Sequence, residues 1–244
     1  MKSPIKVAII GRGNVATHLQ KALAPYADCR MVNSRTLENF PHDCDVAIIS
    51  VSDNAIASTA ERLQSMTDLS GKIVAHTSGT TPMEALRGIA DSYGVFYPLQ
   101  TFSKEVALDY QSIPFFIEGN GRLSVDILTR LASMISNHVY EADSDKRRQL
   151  HIASVLSCNF VNHLWALSEK YLTENGLSFD MLHPLIRETL RKAVTSGPGR
   201  TQTGPAVRHD SRTIDAHLSM LHEAPELQNL YAALSQSIEK MYPL

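Results

Sequence analysis

The sequence predicts an α/β protein: an N-terminal, doubly wound parallel-sheet domain over residues 1–143 and an all-α domain over 144–244. Three observations predict it. Short apolar runs alternate with helical patterns as far as Glu141, a glycine-rich turn joins the first run to the first helix, and after residue 143 only helical patterns follow.

The expected strands are Ile5–Ile10, Arg30–Asn33, Val46–Val51, Ile73–Thr77, Val95–Tyr97, Phe115–Ile117 and Val139–Glu141. Between them, Val15, Leu19, Ala22 and Leu23 recur at helical spacing, as do Ile56, Ala60 and Leu63. Thr81, Pro82 and Glu84 read as N-cap, N1 and N3 of a further helix.

The polar stretch Asp143–Arg148 marks the domain boundary. Beyond it, Asp145–Glu174 reads as one long helix stopped by Asn175-Gly176. It is apolar on more than one side (Leu150, Val155, Leu156, Phe160, Val161, Leu164, Leu167), so it is expected to be covered by other helices of this chain or of a second subunit. A second helix runs over 179–195, and a loop over 196–209 follows. A third helix begins near Asp210. A fourth begins near Glu226 with Leu227, Leu230, Leu234, Ile238 and Met241 on one stripe.

Composition narrows the function classes. Of the 244 residues, 43% are hydrophobic and 20% charged, with a net charge of −2, so neither a nucleic-acid nor a membrane partner is expected. Cys29, Cys44 and Cys158 form no CxxC pair and suggest no disulfide framework or zinc site. The short apolar run after Met1–Pro4 does not resemble a leader, and no transmembrane stretch occurs, so a cytoplasmic protein is expected.

The most informative segment is Gly11-Arg12-Gly13-Asn14-Val15-Ala16, which matches GxGxxA between a strand and a helix. Gly11 makes the tight turn, Gly13 admits a pyrophosphate to the backbone, and Ala16 allows close helix–strand packing. Arg12, Asn14 and Val15 join them as expected dinucleotide contacts. The second strand ends in Asn33-Ser34-Arg35 instead of the Asp or Glu that binds a free ribose. Arg35 can pair with a 2′-phosphate, and Asn33 and Ser34 can hydrogen-bond to it, so the expected cofactor is NADP. Val51-Ser52-Asp53 and Thr77-Ser78 end two further strands and are expected near the nicotinamide, with helix capping as the alternative role.

Reduction of a carbonyl or imine needs a proton donor and groups that orient the substrate. His76, at a strand end, is one candidate, with a packing role as the alternative. On the long helix, His151, Asn159 and Asn162 fall within an arc of about 80° at ~100° per residue. His151 and Asn159 are read as catalytic and Asn162 as a substrate contact, with an interhelical hydrogen bond as the alternative for the asparagines. Gln100, Thr101, Thr203 and Arg208 are further candidates for a small-molecule substrate, and Asp210 is expected to cap the third helix.

Taken in order, Gly11–Ala16, His76–Gly79, Tyr97–Phe102, His151–Asn159 and Thr203-Gly204-Pro205 with Arg208, Asp210 and His217-Leu218 resemble the Rossmann-like NADP oxidoreductases that carry a C-terminal helical domain of uncharacterised function. That group is related to ketopantoate reductase and 6-phosphogluconate dehydrogenase. The resemblance implies a Rossmann domain, a helical domain that forms a homodimer, and an active site in the cleft between domains. It implies no substrate. A reductase using a deazaflavin donor and a non-catalytic NADP-binding sensor are the alternatives. The chain departs from the family at Tyr97, where histidine is common, and at His209, where glycine is common. Lys146 lies too early for the lysine that better-known relatives use.

Overall fold

The computed structural model describes residues 4–244. Met1–Ser3, on which part of the leader expectation rests, lie outside them. Two compact units divide at Ser157/Cys158. The first unit therefore extends past residue 143, because side chains from the start of the long helix pack into it.

The first unit is a seven-stranded sheet in the order β2-β1-β3-β4-β5-β6-β7. Its strands are β1 (Lys6–Ile10), β2 (Asp28–Val32), β3 (Val46–Ile49), β4 (Ile73–His76), β5 (Ser92–Pro98), β6 (Phe115–Gly119) and β7 (Val139–Glu141). All seven expected strands form. β1 to β5 are mutually parallel, β6 pairs antiparallel with β5, and β7 is parallel to β6. β6 runs back along β5 after a connection whose one regular element is a 3-10 turn at Tyr110–Ser112.

Alternate residues along each strand feed two cores. Val7, Ile9, Val46 and Ile48 face α1 (Asn14–Leu23) and α3 (Arg122–Ser133). Ala8, Ile10, Ala47, Ile49 and Val74 face α2 (Ile56–Met66) and Leu86. Central strands buried on both faces explain the unbroken apolar runs in the sequence. The helix expected from Thr81 is instead a 3-10 turn at Met83–Leu86, with Pro82 extended (φ −67°, ψ 150°) and no side-chain cap. The amides that would start it are taken elsewhere: Thr81 N donates to Ser78 Oγ (2.9 Å) and Met83 N to Ser144 Oγ (3.1 Å).

α4 (Ser144–Ser154) closes the first unit, capped by Asp143. A π-helical turn, Val155–Asn159, separates it from α5 (Phe160–Glu174). The ~100° step that places His151, Asn159 and Asn162 on one arc does not hold through such a turn. That expected alignment is therefore corrected.

The second unit contains α5, α6 (His183–Ser196), the short α7 (Pro198–Thr201), α8 (Ser211–Met220) and α9 (Pro225–Met241). Gly176 takes φ +72° after α5, as the Asn-Gly stop predicts. Asp210 Oδ1 accepts from Thr213 N at the start of α8 (3.1 Å), also as predicted. His209 adopts the left-handed conformation (φ 50°) that glycine favours, and its Nε2 lies 2.7 Å from the Tyr242 carbonyl. Neither α5 nor α6 has a buried residue. Among the described residues, no helix is long and apolar enough to cross a membrane.

Candidate functional site

The carboxyl ends of β1 to β5 form one edge, and the strand order reverses between β1 and β3. This is the switch point at which such sheets bind ligands. At that point Gly11 takes φ +142°, and a Cβ there would lie 2.0 Å from the Ser50 carbonyl oxygen. Only glycine lets the turn pass this close to β3. Gly13 differs: a Cβ would meet nothing within 4 Å. No side chain caps α1, and its first turn carries no acid. The helix thus offers free N–H groups, the positive end of its dipole and open space at Gly13, features that fit a diphosphate. The Asn14 side chain is already committed, donating to the Phe102 carbonyl (2.7 Å). Its main-chain N–H is what remains for a ligand. Arg12 is exposed beside it.

At the end of β2, Asn33 Oδ1 accepts from Arg35 N (3.0 Å), and the Arg35 side chain is exposed. Arg62, which sequence reasoning missed, donates to the Ser34 and Arg35 carbonyls from α2. Val51 and Ser52 follow β3 on the same edge. Asp53 accepts from Thr80 Oγ1 and so links the loops after β3 and β4; it caps no helix.

The loop after β4 is tied down from within. Thr77 Oγ1 donates to Ser50 Oγ (3.2 Å), and Ser78 Oγ accepts from Thr80 N (3.1 Å) and Thr81 N. His76 does not face this edge as an accessible acid. It is fully buried, and its Nδ1 accepts from Ser78 N (3.2 Å). Burial first, then the Arg147 cation, push its pKa down to about 4, while the Pro82 carbonyl and Asp53 pull weakly the other way. Its Nε2 has no partner in hydrogen-bonding geometry. His76 is a neutral, buried support for the loop.

Arg147 on α4 explains how that loop is held. It is fully buried, pairs with Glu118 on β6, and donates from Nε to the Ser78 carbonyl (3.1 Å) and from Nη2 to the Thr81 carbonyl (2.6 Å). Ser144 completes the network by donating N–H and O–H to Glu118. Lys146, next in sequence, is exposed and lies 3.7 Å from Asp143.

One turn beyond Arg147, His151 Nδ1 lies 3.1 Å from the hydroxyl of Tyr97, near the end of β5. Burial raises the Tyr97 pKa, so the phenol stays protonated and is able to donate to Nδ1; in the tautomer that accepts this bond the imidazole proton lies on Nε2. No residue among those described hydrogen-bonds to Nε2. Gly79 lies against the pair: a Cβ there would come within 2.7 Å of His151 Nδ1 and of the Tyr97 ring. Gln100 and Thr101 are exposed just past β5.

The first unit therefore brings together Gly11–Val15, Asn33–Arg35, Val51–Asp53, Thr77-Ser78, Gln100-Thr101 and His151. Asn159, Asn162, Thr203 and Arg208 belong to the second unit and are exposed there. Tyr97 and Gly79 stood out in the sequence only within stretches that carry the family resemblance, Tyr97 also as a departure from it. Glu118 and Arg147 carried no signal of their own, because long-range packing gives them their roles.

Residues 113–238 match the model of a family described as a domain of unknown function, DUF2520. No curated protein matches the chain. Among solved structures, the chain is similar to a Bacteroides fragilis protein provisionally named an NADP oxidoreductase, with 38% identity and a TM-score of 0.86 over 97% of this chain and 98% of that one. It shares its fold with a Thermotoga maritima protein at 19% identity and a TM-score of 0.79, covering 98% of this chain and 100% of that one. It also shares it with an Aspergillus terreus reductive aminase solved with NADPH and ethyl levulinate, at 12% identity and a TM-score of 0.69, covering 98% and 95%.

Proposed function

The chain belongs to the DUF2520 family, and from that premise we propose that it is a cytoplasmic NADP-dependent oxidoreductase that reduces a small carbonyl or imine, with keto acids among the candidates. The observation that carries the proposal is the open, uncapped N-terminus of α1 behind Gly13, at the switch point of the sheet. The main-chain amides of Arg12–Val15 would hold the diphosphate, with Gly11, whose own N–H is committed to the Val32 carbonyl (3.0 Å), shaping the turn beneath it. Arg35, with Asn33 and Ser34, would hold the 2′-phosphate; Val51, Ser52, Thr77 and Ser78 would line the nicotinamide half. When bound, NADPH supplies the hydride.

The rest of the chemistry falls to the chain's own residues. Tyr97 holds the His151 ring through Nδ1 and fixes its tautomer, so Nε2 presents a proton. His151 passes that proton to the carbonyl oxygen or imine nitrogen as negative charge develops there. Gly79 leaves room for the pair, and the Arg147 network keeps the neighbouring loop in place. Gln100 and Thr101 are available to orient the substrate; Asn159, Asn162, Thr203 and Arg208 are exposed polar candidates within the second unit.

The protein is further proposed to act as a homodimer through its helices. Phe160, Trp165, Leu185, Leu190 and Val194 on α5 and α6 are exposed, an apolar surface of the kind that a second copy covers.

The test combines three measurements on the purified protein. Fluorescence titration should show tighter binding of NADPH than of NADH. A panel of keto acids and imines should oxidise NADPH, and His151→Ala should abolish this while leaving NADPH binding intact. Light scattering should return a dimer mass. Equal or tighter NADH binding would remove the Arg35 assignment; tight NADPH binding with no turnover on any substrate would favour a sensor; a monomer mass would remove the dimer.

A further inference from the structure

We propose that Arg62 is a positioning residue for cofactor choice: its guanidinium holds the loop after β2 in the shape that presents Arg35 to a 2′-phosphate. This rests on the NADP reading above.

The geometry is a two-pronged clamp. Arg62 Nη1 donates to the Arg35 carbonyl (2.8 Å) and Nη2 to the Ser34 carbonyl (2.6 Å), while Nε reaches back to the Ser58 carbonyl of its own helix (3.4 Å). A planar guanidinium is suited to two acceptors side by side, and a lysine ammonium cannot reproduce that fork. With Asn33 Oδ1 accepting from Arg35 N, both polar groups of the Arg35 main chain are fixed and its side chain is left exposed.

The clamp also changes the local field. Two carbonyl oxygens that would repel an anion are both covered by this one cation. Glu38 and Glu61 are close in sequence, yet none of the ion pairs among the described residues involves Arg12, Arg35 or Arg62. Uncompensated like charges near one strand edge favour a dianion over a neutral hydroxyl. An adenosine without a 2′-phosphate gains nothing from this arrangement, so the contribution of Arg62 is selective.

The experiment titrates NADPH, NADH, 2′,5′-ADP and 5′-AMP calorimetrically into wild type, Arg62→Ala and Arg62→Lys. Arg62→Ala should weaken NADPH and 2′,5′-ADP roughly tenfold or more, the scale of one charge-assisted hydrogen bond. NADH and 5′-AMP should change less than about twofold. Their retained binding also reports that the variant is folded. Arg62→Lys should recover only part of the loss. Equal weakening of both pairs, or unchanged selectivity, would overturn the proposal. Full recovery by lysine would overturn the positioning role and leave charge alone. Failure of wild type to prefer NADPH would instead overturn the cofactor assignment itself.

Discussion

At the scale of single residues, two glycines in one turn do opposite jobs, and substitution separates them. Gly11 combines a backbone angle that side chains resist with a Cβ position only 2.0 Å from the Ser50 carbonyl oxygen, just past the end of β3. Gly11→Ala must strain the backbone and push two paired strands apart, a loss on the order of 3–4 kcal/mol or more. Gly13 has ordinary backbone (φ −76°) and open space where a Cβ would go. Gly13→Ala should leave the thermal midpoint within about 2 °C of wild type, as expected for an unstrained surface site. It should weaken NADPH at least tenfold, because the added methyl occupies the approach to the main chain. Thermal melts with and without NADPH check both. Were Gly13→Ala to bind NADPH normally, the diphosphate would not rest at this turn.

At the scale of elements, α4 is joined to the sheet by one buried cation. Arg147 binds Glu118 on β6 and two carbonyls of the loop after β4, so three separate segments depend on it. Removing one partner of a buried pair strands the other's charge, typically at about 3–5 kcal/mol. Arg147→Met should therefore be strongly destabilised in urea denaturation, and Arg147→Met with Glu118→Leu should recover much of the loss because no lone charge remains. If the double variant is as unstable as the sum of the singles, the pair is not coupled.

The same residue shows where sequence reading stops. The central strands β1, β3 and β4 were legible because burial on both faces demands continuous apolar runs, and the turn at Gly11–Gly13 because its chemistry is local. Arg147 sits in the polar run Asp143–Arg148, where a buried arginine and a solvated one look alike. The Thr81-Pro82-x-Glu84 pattern failed for a related reason. Locally it is a sound helix start, but Ser78 and Ser144 take its amides from outside the segment. The π-helical turn at Val155–Asn159 likewise broke a face that uniform helical spacing placed together.

At the scale of the whole molecule, His76 couples the stability of the first unit to pH. In the unfolded chain it titrates near its ordinary value of 6.5; in the fold it titrates at about 4. Between those values the unfolded chain binds a proton that the folded chain refuses. Stability is full above pH 6.5, falls as the pH drops through this window, and loses nothing more from this group below about 4. The total is on the order of 3 kcal/mol. Asp143 and Asp210, whose carboxyls are held below the usual range by hydrogen bonds, lose their contributions only at still lower pH. The two effects therefore separate on the pH axis. His76→Asn keeps an acceptor for Ser78 N but cannot titrate. Urea midpoints measured from pH 7.5 to 4.5 should slope downward for wild type and run flatter for the variant. Its overall stability can differ, because the argument concerns the slope. Parallel curves would mean that His76 takes up its proton in the folded state as readily as in the unfolded one, and that the buried, cation-facing environment assigned to it is wrong.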